Sequence, residues 1–159
     1  MKKAEKELQE GNTHRGLVKR SPDLALARKH ILKAEHNLEA VSRFKEIGFS
    51  DWSAPATFYA IYHALLAVLA KQGYESRNQE CTFALIYKLI DTKQINLDDK
   101  LIAEIHELQP EEAHQEPTIV DVRESEQYGL SLSLEENTYN RLLSIAKNIL
   151  DQVKISIEE

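Results

Sequence analysis

The chain has 159 residues, 42% of them hydrophobic and 29% charged, with only five Gly and four Pro. That is enough for one domain with its own core, and the balance excludes both a disordered polymer and a turn-rich β fold. The net charge of −6 is uneven: residues 1–50 carry 11 Lys/Arg against 7 Asp/Glu, and residues 51–159 carry 9 against 19, which argues against a generic nucleic-acid coat.

Residues 1–20 read as an N-terminal arm. The first ten are polar and charged, without the apolar centre of a signal peptide, and Gly11 to Arg20 shows no periodicity. Cys81 is a lone cysteine, so no intramolecular disulfide is expected and the cytoplasm is the default compartment. No uninterrupted apolar run reaches the ~18 residues of a membrane span, so a soluble protein with no membrane partner is expected. A domain over residues 21–159 follows the arm.

The first helix is predicted to open with Ser21 as N-cap, Pro22 in the first turn and Asp23 at the positive helix end. Leu24, Ala27, Ile31, Ala34, Leu38 and Val41 then make one apolar stripe that ends near Ile47-Gly48. Lys19, Arg20, Arg28, Lys29 and Lys33 could form a local basic patch or a solvated face. A second helix is predicted from Ser53-Ala54-Pro55 to Gln72, with Gly73 suited to the left-handed position after a helix. Phe58, Ile61, Leu65 and Val68 occupy one face, Tyr59, Tyr62, Leu66 and Leu69 another, and alanines fill the rest. A helix apolar nearly all round belongs at the centre of a domain.

The third predicted helix covers Gln79 to Asp91, with Phe83, Ile86 or Tyr87, and Ile90 turned inward. A fourth runs from Leu97 to Leu108, with Asn96 as N-cap and Pro110 as stop. Pro110 to Pro117 is a loop rich in Glu and His, and a shorter helix from Thr118 to Tyr128 ends at Gly129. Ser133 and Glu136 have the spacing of a capping box, and Leu142, Ala146, Ile149, Val153 and Ile157 form the stripe of the last helix. No strand-like alternation of useful length and no repeat is present. The expected fold is all-α: an antiparallel up-and-down helical bundle of four long helices with one or two short ones.

Several residues carry chemistry. His63 lies on the Tyr59-Tyr62-Leu66 side of the second helix, where it is either a hydrogen-bonded core histidine or a cleft residue. Arg77 and Asn78 follow a Gly turn and precede a helix, which suits phosphate binding or simple capping. Arg123 could supply a cation from another helix, or pair with Glu124 or Glu126. Tyr59, Tyr62, Tyr74 and Tyr87 can stack on bases or fill the core. His106, Glu107, Glu111, Glu112, His114 and Glu116 are of metal-ligand type, but their spacing fits no closed zinc or di-iron pattern. No metal and no cofactor is expected. Cys81 reads as a small buried apolar residue.

The segment FYAIYHALLAVLAKQGYESRNQEC, residues 58–81, resembles the HEPN family, named for nucleotide-binding domains of higher eukaryotes and prokaryotes. The resemblance rests on Phe58-Tyr59-Ala60, the Tyr62-His63-Ala64 step, and Lys71 to Tyr74 leading into Arg77-Asn78. It extends upstream to the turn Gly48 to Trp52 and downstream to Arg123 with Gln127-Tyr128-Gly129. It implies a bundle of about five helices that forms a homodimer around a shared cleft. Active relatives are metal-independent RNases, often toxins beside a minimal nucleotidyltransferase. Their motif is Arg, four to six residues, then His, with the Arg holding phosphate and the His moving a proton.

This chain departs from that motif. Ala56 stands seven residues before His63, where Arg is expected, Gln79 stands where a second candidate site would have His, and no Arg is followed by His at the required spacing. The leading expectation is a non-catalytic or degenerate module that binds RNA, nucleotide or a nucleotidyltransferase partner in a toxin-antitoxin-like system. One alternative is an RNase toxin with His63 as general acid/base and Arg77 or Arg123 as the relocated cation. A second alternative is a helical scaffold protein whose acidic part docks a basic partner.

Overall fold

The computed structural model describes residues 16–106 and 117–159. Along the chain it contains β1 (Leu17–Lys19), α1 (Leu24–Glu46), a 3-10 turn (Ser50–Trp52), α2 (Ser53–Lys71) and β2 (Tyr74–Ser76). Then come α3 (Gln79–Asp91), α4 (Asp99–Ala103), α5 (Ile119–Tyr128) and α6 (Glu136–Glu158). The protein is mostly helical, as expected, with one small two-stranded sheet.

α2 is the centre. Its buried positions, from Ala54 to Ala70, take in the Phe58–Ile61–Leu65–Val68 face, Leu69 and most of the alanines, whereas Tyr59, Tyr62 and Leu66 of the other predicted face are exposed or half-buried; the helix packs against α1, α5 and α6. The stretch Ser50–Lys71 is long and apolar enough to cross a membrane, with a mean hydropathy of 1.4, and 72% of it is covered by the rest of the protein. The Ala34 and Val41 side chains of α1 are fully buried at a seven-residue interval, with Ala27 one interval earlier, a seam of small residues that lets helices approach closely. Ser53 Oγ donates to the Val41 carbonyl at 2.7 Å, and Thr57 Oγ1 donates to the Ser53 carbonyl at 2.8 Å, so the two buried hydroxyls are satisfied. On α6 the predicted stripe of Leu142, Ala146, Ile149, Val153 and Ile157 is buried throughout.

The turn between α1 and α2 is a Schellman motif: Phe49 N donates to the Phe44 carbonyl and Gly48 N to the Lys45 carbonyl, around a left-handed Gly48 at φ +86°. Gly73 ends α2 in the same conformation, φ +80°, and a Cβ there would lie 2.7 Å from the Arg20 carbonyl oxygen. Arg20 N donates to the Gly73 carbonyl, and the antiparallel pair β1/β2 continues from that point, with Val18 opposite Glu75.

This sheet corrects the expectation of no strands, and it brings Leu17, 2% exposed, from the predicted arm into the core. Three helix starts also differ. Asp23, not Ser21, caps α1, accepting from Leu26 N, because its own N–H is held by the Ala70 carbonyl. The fourth helix shrinks to Asp99–Ala103 and starts at Asp98 instead of Asn96; Asp98 N is fixed by Gln152 Oε1. The predicted end of that helix, Glu107 and Leu108, lies outside the described residues. The Ser133 capping box does not form: Ser133 N donates to Ser131 Oγ, the Glu136 carboxylate binds Lys45, and the helix starts one residue beyond Glu135; a Thr118–Asp121 box opens α5.

Candidate functional site

Among the described residues, a strip along the 3-10 turn and α2 is left uncovered and follows the helical period: Trp52, Ala56, Tyr59, Tyr62, His63 and Leu66 are exposed or half-buried. α1 runs antiparallel beside it, so residues at equal distance from the Gly48 turn meet. His30 meets His63: the two Nδ1 atoms are 3.0 Å apart and the ring centroids 5.3 Å, with the planes tilted by 33°. A hydrogen bond across this gap needs one Nδ1 protonated and the other bare. Burial lowers the pKa of both rings, and for His63 the charges of His30 and Lys33 act in the same direction. At neutral pH the pair is therefore uncharged, with Lys33 nearby.

The neighbouring aromatics divide by role. Tyr62 stacks on Phe58 at 5.6 Å, and its hydroxyl reaches Thr82 Oγ1 at 3.2 Å, which ties α2 to α3. Tyr59 meets Phe58 edge-on and remains 47% exposed, free to stack on a flat ligand.

The other predicted site residues are engaged locally. Arg77 binds Glu75, with its Nε 2.7 Å from Oε1, and Arg20 binds the second carboxylate oxygen of Glu75 at 3.0 Å. The two guanidiniums hold the Glu75 carboxyl below the usual range. Asn78 caps α3, its side-chain oxygen accepting from Cys81 N. Arg123 lays its guanidinium over the Phe58 ring at 4.3 Å and pairs with Glu124, not Glu126. It makes no hydrogen bond or ion pair to His63 or Arg77. Arg28 of the basic patch pairs with Glu158.

Of the metal-ligand types, only His106 falls within the described residues. It stacks on Phe83 at 4.5 Å with planes nearly parallel, and burial lowers its pKa. No group of three or more metal-ligating side chains occurs among the described residues. Cys81 is buried, in keeping with its reading as a small apolar residue.

The model of the HEPN domain family matches residues 27–156, from the first turns of α1 almost to the end of α6. The chain belongs to the HEPN family. Its class is thereby that of nucleotide- and RNA-related helical modules. A search of curated proteins finds none that matches. Within this HEPN chain, the helix-two histidine faces a second histidine and Ala56 occupies the expected arginine position. Sequence reasoning passed over His30, because nothing local marks it. The usable signal was its distance from the Ile47–Gly48 turn, nearly equal to that of His63.

Proposed function

We propose that this HEPN protein is a cytoplasmic, homodimeric module that binds RNA or nucleotide without running the family's usual RNase reaction. The partnership of His63 with His30 carries this reading. Among the described residues the charges that act on His63 are His30 and Lys33 and no guanidinium, and Arg77 and Arg123 are committed to Glu75, Glu124 and Phe58. An anion arriving at the pair would meet Lys33 and two imidazoles able to take up protons, which is sufficient for binding. Exposed Tyr59 offers a stacking platform alongside. The exposed Ile47 and Phe49 at the α1–α2 turn suit burial against a second copy. In a toxin-antitoxin-like setting a minimal nucleotidyltransferase would be the natural partner.

The same pair also favours a second reading, a metal-independent endoribonuclease. Two neutral imidazoles and a lysine are the types needed to deprotonate a 2′-hydroxyl, protonate a leaving oxygen and offset phosphate charge. Incubating the protein with labelled RNA in EDTA separates the two readings. The binding module retains intact RNA and loses affinity in His63→Ala. Cleavage that His63→Ala abolishes would establish the RNase instead.

A further inference from the structure

At the other end of α2, the 3-10 turn, the start of the helix and the loop after α5 enclose a cavity of about 270 Å³. Trp52, Pro55, Leu130 and Leu132 form its apolar wall, and the two leucines are 97% and 83% exposed. Lining one cavity with Trp52, they form a clustered apolar surface, which marks an interaction site more often than a lone exposed leucine does. The ionisable lining is acidic only, Asp51 and Glu126.

Glu126 is half-buried, and one of its carboxylate oxygens, Oε2, is covered with no hydrogen-bond partner among the described residues. Burial raises the carboxyl pKa, and the Asp51 charge raises it further. Arg123 stands one turn earlier on the same helix, yet its guanidinium lies on Phe58 and Glu124. Gly129 lets the loop fold over the cavity, since a Cβ there would lie 2.3 Å from the Ser125 carbonyl oxygen. The result is an acidic floor, an indole wall and an apolar rim, all lacking a complement.

We propose that this cavity receives an arginine side chain from a partner protein, in a segment whose flanking apolar residues cover Leu130 and Leu132. A guanidinium can stack on the Trp52 indole while its N–H groups bind the Glu126 and Asp51 carboxylates, which a lysine ammonium does less well. The −10 charge of residues 51–159 draws such a segment in. The inference does not depend on which reading of the histidine pair holds.

Trp52 is the only tryptophan in the chain, so its fluorescence reports on this cavity. The probe is acetyl-Leu-Arg-Leu-amide added to the full chain, with the Gln analogue as uncharged control. The Arg peptide is expected to give a saturable change and the Gln analogue none. Glu126→Gln is expected to weaken binding roughly tenfold while raising Tm at pH 7, because it removes a half-buried carboxylate that repels Asp51; Asp51→Asn weakens binding less. A loss of binding with a gain of stability separates a binding carboxylate from a structural one. Leu130→Ser with Leu132→Ser, at exposed positions, provides a second test that does not burden folding and is also expected to weaken the peptide. Equal responses to the two peptides, or unchanged affinity in Glu126→Gln, would overturn the proposal. So would sedimentation showing that a second copy of the chain already occupies the cavity and is released by Glu126→Gln.

Discussion

The two ends of the exposed strip on α2 handle buried polarity in opposite ways. Near the middle of the helix, His63 and His30 satisfy each other across 3.0 Å and are neutral. At the N-terminal end, Glu126 keeps a buried oxygen with no partner, beside a second carboxylate. The first arrangement is complete within the chain, each ring serving the other. The second leaves a carboxylate oxygen without a partner beside a like charge, the feature on which the proposed arginine site rests. A helix that serves as the core on three sides thus presents two chemically distinct surfaces on the fourth.

The largest test of this contrast targets the seam that holds the histidines together. Ala34→Leu, one turn after His30 at a fully buried position, is expected to cost about 1–3 kcal/mol by overpacking. It should also separate the two rings, seen as loss of their coupled titration by NMR, while leaving the Trp52 environment nearly unchanged. Arg123→Ala should cost less, ~0.5–2 kcal/mol for the lost stack on Phe58. Its thermal melt should fall with the histidine titration unaffected, because Arg123 belongs to neither end. A histidine titration that moves in Arg123→Ala would join the two surfaces into one.

A smaller effect follows from pH. The folded pKa of His30 and His63 lies below the unfolded value of about 6.5. Between the two values the unfolded chain binds more protons, so stability rises with pH there. The contribution is present above pH ~6.5 and is lost as pH falls through the folded values. Urea unfolding at a series of pH values should show this loss, and His30→Gln should flatten it. A wild-type profile with the opposite slope would mean that the pair is charged in the fold.

Much of the helix pattern was legible in the sequence because it depends on local periodicity: the α1 stripe, the apolar α2, Gly73 at its end and the α6 stripe all follow from spacing. What failed was decided by distant partners. Ser21, Asp23, Asn96 and Asp98 are all competent caps, and the carbonyl of Ala70 and the side chain of Gln152 selected between them. Leu17–Lys19 has no strand signal of its own, and pairs because Gly73 brings Tyr74–Ser76 alongside. Site residues divide in the same way. His63 was singled out by the resemblance to the family, and the use of Asn78 as a cap was readable from its place before α3. His30 and Glu126 became visible only when antiparallel packing and a folded-back loop surrounded them.

The central claim is that the His30–His63 pair, with Lys33 beside it, receives the phosphate of an RNA or nucleotide. Long-range 1H–15N NMR of the histidine rings, with and without a short RNA in EDTA, tests it most directly. The account predicts that His30 and His63 shift together and take up protons as RNA binds, that the remaining histidines stay in place, and that the RNA is recovered intact. Binding that leaves both rings unmoved, or RNA recovered as fragments, would contradict it.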